Sequence, residues 1–180
     1  DYNVALGAYA GNKNTTGSRN TSIGYSTLYY NQTGLRNIAI GMGSMTGATG
    51  ESQSDNTAVG YDALKAITSG GSNVALGSYA GDELTTGSNN VLVGSGTLGQ
   101  NTASTNNVAV GHNSMGGIDN TNGIQYSVAI GHSSIYGAAG TTTGIDGTVG
   151  IGYQALAALT TGSANSAIGY QSADALTIGR

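Results

Sequence analysis

The sequence predicts an all-β protein, a parallel β-solenoid (β-roll) of about ten 17-residue coils. Three observations carry that expectation. A five-residue motif closed by Gly returns ten times along the 180 residues, which marks a repeat architecture. Inside the motif the side chains alternate with a period of two, the signature of a strand. Every insertion falls outside it, in polar stretches that read as exposed loops.

The motif is clearest as Asn3-Val4-Ala5-Leu6-Gly7, and it returns at 20–24, 37–41, 56–60, 73–77, 90–94 and 107–111. Looser copies stand at 127–131, 148–152 and 165–169. The closing glycines are Gly7, Gly24, Gly41, Gly60, Gly77, Gly94, Gly111, Gly131, Gly152 and Gly169. They define a 17-residue period, lengthened by short insertions before Gly60, Gly131 and Gly152. A shorter copy, Leu176-Thr177-Ile178-Gly179, ends the chain, so residues 170–180 read as a partial coil. The array fills residues 1–180 as one unit. Because Asp1 falls within a motif, the chain is expected to be a piece of a longer fibre.

Each element follows from its column. The leading residue is Asn in eight copies: Asn3, Asn20, Asn37, Asn56, Asn73, Asn90, Asn107 and Asn165. Stacked in register, these amides are expected to form a structural ladder, bonding backbone and one another. The residue before the closing Gly is aliphatic in all ten copies. Two residues earlier stands Val, Ile, Thr or Ser, and between them usually Ala. The invariant Gly asks for a positive φ or a close backbone approach. After it comes a short strand or one helical turn, and residues 61–67 and 153–159 read as helical, with Gly162 as a stop for the latter. The polar connector, clearest as Thr85-Thr86-Gly87-Ser88, carries turn residues.

Composition removes several classes. With no Cys there is no disulfide framework and no thiolate zinc site. Gly is abundant at 32 residues but Pro is absent, which excludes collagen. At 38% hydrophobic the chain is not of disordered composition, and no apolar run approaches the roughly 20 residues of a membrane span. The net charge of −4 argues against nucleic acid. The stretch 1–36 is locally basic, with Lys13, Arg19 and Arg36. The strand pattern leaves aliphatics on one face and Ala on the other, so both faces read as buried. A thin coil has one interior, and the second face is expected to meet another copy side by side, the small Ala column allowing close approach.

The pentads 3–7, 107–111 and 127–131 resemble the head repeats of YadA-like trimeric autotransporter adhesins. The longer form, Asn-x-Ala-aliphatic-Gly-Tyr-x-Ala-Leu followed by Thr-Thr-Gly-Ser, is similar to repeats of phage tail fibres, best at residues 56–64 and 165–170. The adhesin repeat is shorter than the one here, so the hand of its roll is not carried over. The resemblance implies a homotrimeric fibre that is extracellular, on a cell surface or on a virion, and that contacts host-surface glycan or protein.

The expected function is accordingly a non-catalytic fibre segment, both spacer and adhesin. The candidate surface-binding residues follow the closing Gly: Tyr25, Tyr61, Tyr153, Tyr170, His112 and His132. Flat amphipathic rings suit sugar and protein contact. His112 and His132 share a column in adjacent coils, and two imidazoles are too few for a metal site in one chain. No cofactor motif is present, since no Lys-Ser/Thr follows any motif glycine. The acidic residues are scattered singly, apart from the adjacent Asp82-Glu83, without the paired geometry of glycoside hydrolysis. An ice-binding solenoid is the alternative, from the pairs Thr15-Thr16, Thr85-Thr86 and Thr160-Thr161. A flat array would favour Thr-x-Thr, because adjacent strand residues point to opposite faces. A purely structural surface filament is the third reading.

Overall fold

The computed structural model describes residues 2–50, 52–118, 123–137 and 142–179. Asp1, Glu51, Asp119 and Arg180, which enter the charge count, lie outside them. The chain is a parallel β-solenoid of about nine turns, with ten strands and no helix among the described residues. The strands are β1 (Val4–Leu6), β2 (Thr21–Ile23), β3 (Ile38–Ile40), β4 (Thr57–Val59), β5 (Val74–Leu76), β6 (Val91–Val93), β7 (Val108–Val110), β8 (Val128–Ile130), β9 (Val149–Ile151) and β10 (Ser166–Ile168). They form one sheet in sequential order. Each repeat column pairs with itself in the next turn, as in Val4↔Thr21 and Leu6↔Ile23. The insertions do not disturb this register, because Val128 still pairs with Val149 across the longest turn.

The two faces of the sheet are the reverse of the sequence expectation. The Ala column points inward: Ala39, Ala58, Ala75, Ala109 and Ala129 are fully buried. The large aliphatics on either side point outward and stay partly exposed. The reason lies across the interior, where a second column of large side chains, including Leu28, Met45, Leu64, Leu98, Met115, Ile135 and Leu156, is buried against the strand. A coil this thin holds one layer of large side chains, so its strand contributes only a methyl group. The exceptions compensate one another. Gly81 replaces the large residue in its turn, and Leu92 replaces Ala in the next strand. A methyl group added at Gly81 would meet Leu92 Cδ1 at 2.7 Å, so Leu92 fills the vacated space. At Gly150 an added methyl would meet Ile135 Cγ1 at 2.6 Å. Sequence reading missed a further inward column in the connector, occupied by Ile67, Leu84, Ile118 and Leu159 or by buried Asn31 and Asn101.

The segment after the closing Gly is a run of overlapping turns. In the fourth turn, the amides of Ala63, Lys65 and Ile67 donate to the carbonyls of Gly60, Asp62 and Leu64, three residues back. The alternate amides leave the turn: Asp62 donates to Met42 O, Leu64 to Ala80 O and Ala66 to Asp82 O. Residues 61–67 and 153–159 are therefore not helical. A helix would consume every amide within one segment, whereas here every second one bonds an adjacent coil. Positive φ at the third residue of a turn is the type II signature, and it recurs at Asp62 (52°) and Leu64 (48°). Left-handed backbone at a large apolar residue costs about 1–3 kcal/mol. Burial of that side chain in the core offsets it.

The closing glycines have φ between 117° and 147°, and the backbone of the next coil lies against them. A methyl group at Gly94 would sit 2.6 Å from Gly111 O. Gly169, in the last turn, has only Ser172 Cβ near, at 3.8 Å. The terminal Leu176-Thr177-Ile178-Gly179 is not a further pentad. Ile178 pairs with Thr161 in the connector ladder, and Gly179 N donates to Thr161 O. Gly94→Ala should cost about 2–6 kcal/mol from backbone strain and overpacking together, and Gly169→Ala about 1–3 kcal/mol from strain alone. Urea unfolding of both variants checks this, and equal losses would contradict the close-approach explanation.

Candidate functional site

The Asn column is the best-satisfied polar feature of the interior. Asn37, Asn73, Asn90 and Asn107 are fully buried, and Asn20 and Asn56 nearly so. Each Oδ1 accepts from the next coil: Asn20 N to Asn3 Oδ1 at 2.9 Å, Asn37 N to Asn20 Oδ1 at 2.9 Å, Asn90 N to Asn73 Oδ1 at 3.0 Å. The amide groups also bond one another, as Asn73 Nδ2 to Asn56 Oδ1 at 3.0 Å and Asn107 Nδ2 to Asn90 Oδ1 at 3.1 Å. Each Nδ2 donates across its own turn to a connector carbonyl, from Asn3 to Gly17 O (2.8 Å) through Asn107 to Ile124 O (2.7 Å). The ladder weakens where Ser127 and Thr148 replace Asn, and Thr148 Oγ1 is buried without a partner. Asn165 turns its Nδ2 to Gly162 O at 2.7 Å. From Asn37 to Asn107 these side chains are enclosed, whereas Asn3 is exposed, Asn165 is half-exposed, and Asn3 and Asn20 line a small cavity at the first turn.

The aromatic candidates lie outside and fall into three groups. His112, His132, Tyr153 and Tyr170 form a continuous exposed stack, with ring centroids 5.0, 5.3 and 5.2 Å apart. This spacing is close to the roughly 4.8 Å between parallel strands, so the rings inherit the period of the sheet. Tyr61 stands apart, meeting Tyr79 edge to face at 5.1 Å. Burial and the adjacent Tyr61 push the Tyr79 hydroxyl above its ordinary pKa.

Tyr25 belongs to a third group that single-column reading did not find. It meets Tyr9 edge to face at 5.7 Å, Tyr9 meets Tyr29 at 6.2 Å, and Tyr29 meets Tyr30 at 4.6 Å. Lys13 Nζ lies 5.9 Å from the Tyr29 ring centroid, within cation–π range. With Ser26 and Thr46 these four tyrosines line an open groove of about 400 Å³. The signal was present in the repeat: Tyr25, Tyr29 and Tyr30 follow Gly24 in one turn, and Tyr9 follows Gly7 in the turn before, in the column next to that of Tyr25. One coil onward, the places of Tyr29 and Tyr30 are taken by Thr46 and Gly47, so the large rings end at a step.

Charged side chains are few, and two ion pairs form among the described residues. Arg36 holds Asp55 through two contacts of 2.5 and 2.7 Å, raising the guanidinium pKa and lowering the carboxyl. Lys65 bonds Asp62 at 2.9 Å. Asp82 is pushed up from 3.8 to about 6, mainly by burial and further by Glu83, against a hydrogen bond from its own backbone. Among the described residues no group of three or more His, Asp or Glu could hold a metal ion, and no helix is long and apolar enough to cross a membrane. The first Thr of each pair is engaged with the neighbouring coil: Thr15 Oγ1 donates to Gln32 O at 2.9 Å, Thr85 Oγ1 to Thr102 O at 2.9 Å and Thr160 Oγ1 to Thr177 O at 2.7 Å.

No protein family, no curated protein and no solved structure matches the chain.

Asp82 gives a pH dependence of definite sign. Its folded pKa is raised, so between about pH 4 and 6 the folded state binds more protons than the unfolded one. This group's contribution therefore falls as pH rises through that window. Asp82→Asn should raise the melting temperature relative to the parent at pH 7, with the difference vanishing below pH 4. A difference that is constant with pH would contradict the assignment.

Proposed function

We propose that the chain is a non-catalytic segment of a homotrimeric fibre, extracellular, on a cell surface or on a virion, that spaces and attaches its bearer through exposed rings. The observation that carries this reading is the outward face of the sheet. All ten residues of the column before the closing Gly are aliphatic, from Leu6 to Ile168, and seven of ten in the companion column are Val or Ile. Neither column holds a charge. Nine interstrand steps of roughly 4.8 Å make this strip about 43 Å long. An apolar strip of that extent marks an interaction surface. Its partner must be equally uncharged and equally periodic, which another copy of the chain supplies. The number three is what the adhesin resemblance implies. The large aliphatics, not the Ala column, would form this contact.

Attachment rests on the outward rings, His112 to Tyr170 at one end and the tyrosine groove at the other. Analytical ultracentrifugation at micromolar concentration should give the mass of three chains. Val93→Asp with Ile130→Asp, on the outward face, should yield a monomer that retains its β circular dichroism. A parent protein that sediments as a monomer would overturn the fibre reading. Retention by an array of glycans and surface proteins tests the adhesive half, and a trimer that binds nothing on it would reduce the proposal to a passive spacer.

A further inference from the structure

We infer that the groove formed by Tyr9, Tyr25, Tyr29 and Tyr30 beside Lys13 is a binding site for an acidic saccharide, a sugar ring carrying a carboxylate or sulfate. The inference rests on the adhesive reading above and deepens it by naming one site and one ligand class. Three observations support it.

The first is shape. The groove has a volume of about 400 Å³ and is shallow and widely open to solvent, enough for one or two sugar rings of an extended chain. The second is its lining. Tyr9 and Tyr25 present exposed faces, and Tyr29 and Tyr30 are half-buried and held edge to face at 4.6 Å. Rings fixed by one another lose little freedom on contact, and their faces match the C–H face of a pyranose. None of the four hydroxyls is engaged within the described residues, which leaves them to bond sugar hydroxyls.

The third observation is charge. Lys13 forms no ion pair among the described residues, whereas Arg36 and Lys65 are paired with carboxylates. Its Nζ lies 5.9 Å from the ring centroid of Tyr29, which lines the groove. An ammonium on an otherwise acidic chain of net charge −4 selects an anionic partner at this end of the rod. The groove lies on the turns and connectors, not on the strand face, so trimer contact through the sheet leaves it free.

The test is titration of the intact protein by isothermal calorimetry with a panel of sialylated, uronic-acid and sulfated oligosaccharides, each matched to its neutral analogue. Binding to an acidic member and roughly tenfold weaker binding to its neutral analogue is expected, from loss of one charge-assisted hydrogen bond. Lys13→Gln should equalise the two, and Tyr25→Ala should weaken both, with circular dichroism unchanged in each variant. The sialylated, uronic and sulfated arms distinguish carboxylate from sulfate as the anion. Equal affinity for acidic and neutral members would overturn the charge assignment. Acidic binding that survives both variants would overturn the groove while leaving an adhesive fibre intact. Absence of binding to every member would overturn the site, and the trimer reading is judged separately by sedimentation. Loss of affinity in Tyr153→Ala but not in Tyr25→Ala would move recognition to the other ring stack and contradict the inference.

Discussion

The structure depends on one constraint, that a buried carboxamide must find its partners in the turns directly above and below. A fully buried Asn left unpaired costs about 1–3 kcal/mol for each orphaned group. Here each buried rung of the ladder accepts from the backbone amide of the next coil and donates across its own turn, as Asn73 and Asn90 do. That arrangement closes only when the columns are in register, so the ladder fixes the stacking of the strands beside it. The closing glycines impose the same condition from the backbone, since their carbonyls lie where a side chain would be. Polar atoms without partners occur mainly where the period breaks. Gln53 lies in the lengthened turn between Gly41 and Gly60, and Thr148 in the one between Gly131 and Gly152. Asn14, in a regular turn, is the exception.

With register fixed, the thinness of the coil decides the rest. One layer of large side chains fills the interior, the strand supplies Ala, and the remaining aliphatics are turned out along the sheet. The same repetition that satisfies the interior thus generates a long apolar face and, where ring-bearing columns coincide, stacked or clustered aromatics at the period of the strands. Core, assembly surface and candidate attachment sites are three sides of one repeating unit.

Much of this was legible in the sequence, because a solenoid stacks like on like and each column could be read alone. The ten strands, the insertions in the connectors and the restraint on the closing Gly all follow from a single column each. What a column does not state is which way it points. Alternation at Val4, Ala5 and Leu6 gives two faces, but only the large residue at Leu28 or Met45 across the coil says that Ala must be inside. The helical reading of residues 61–67 failed for a related reason, since Leu64 and Ala66 give their amides to the next coil. The tyrosine groove needed two adjacent turns and several columns together.

The central claim is that the amide ladder sets the register and stability of the stack, and the reciprocal exchange Asn73→Thr and Thr148→Asn tests it most directly. In urea unfolding, removing the central rung should lower stability by about 2–4 kcal/mol, from the buried groups of Asn90 and Gly87 left unpaired. Supplying a rung at Thr148, whose buried Oγ1 has no partner, should raise it. Opposite shifts of the two variants are the predicted result. Unchanged stability in Asn73→Thr, or a loss in Thr148→Asn as large as the loss in the other, would contradict the account.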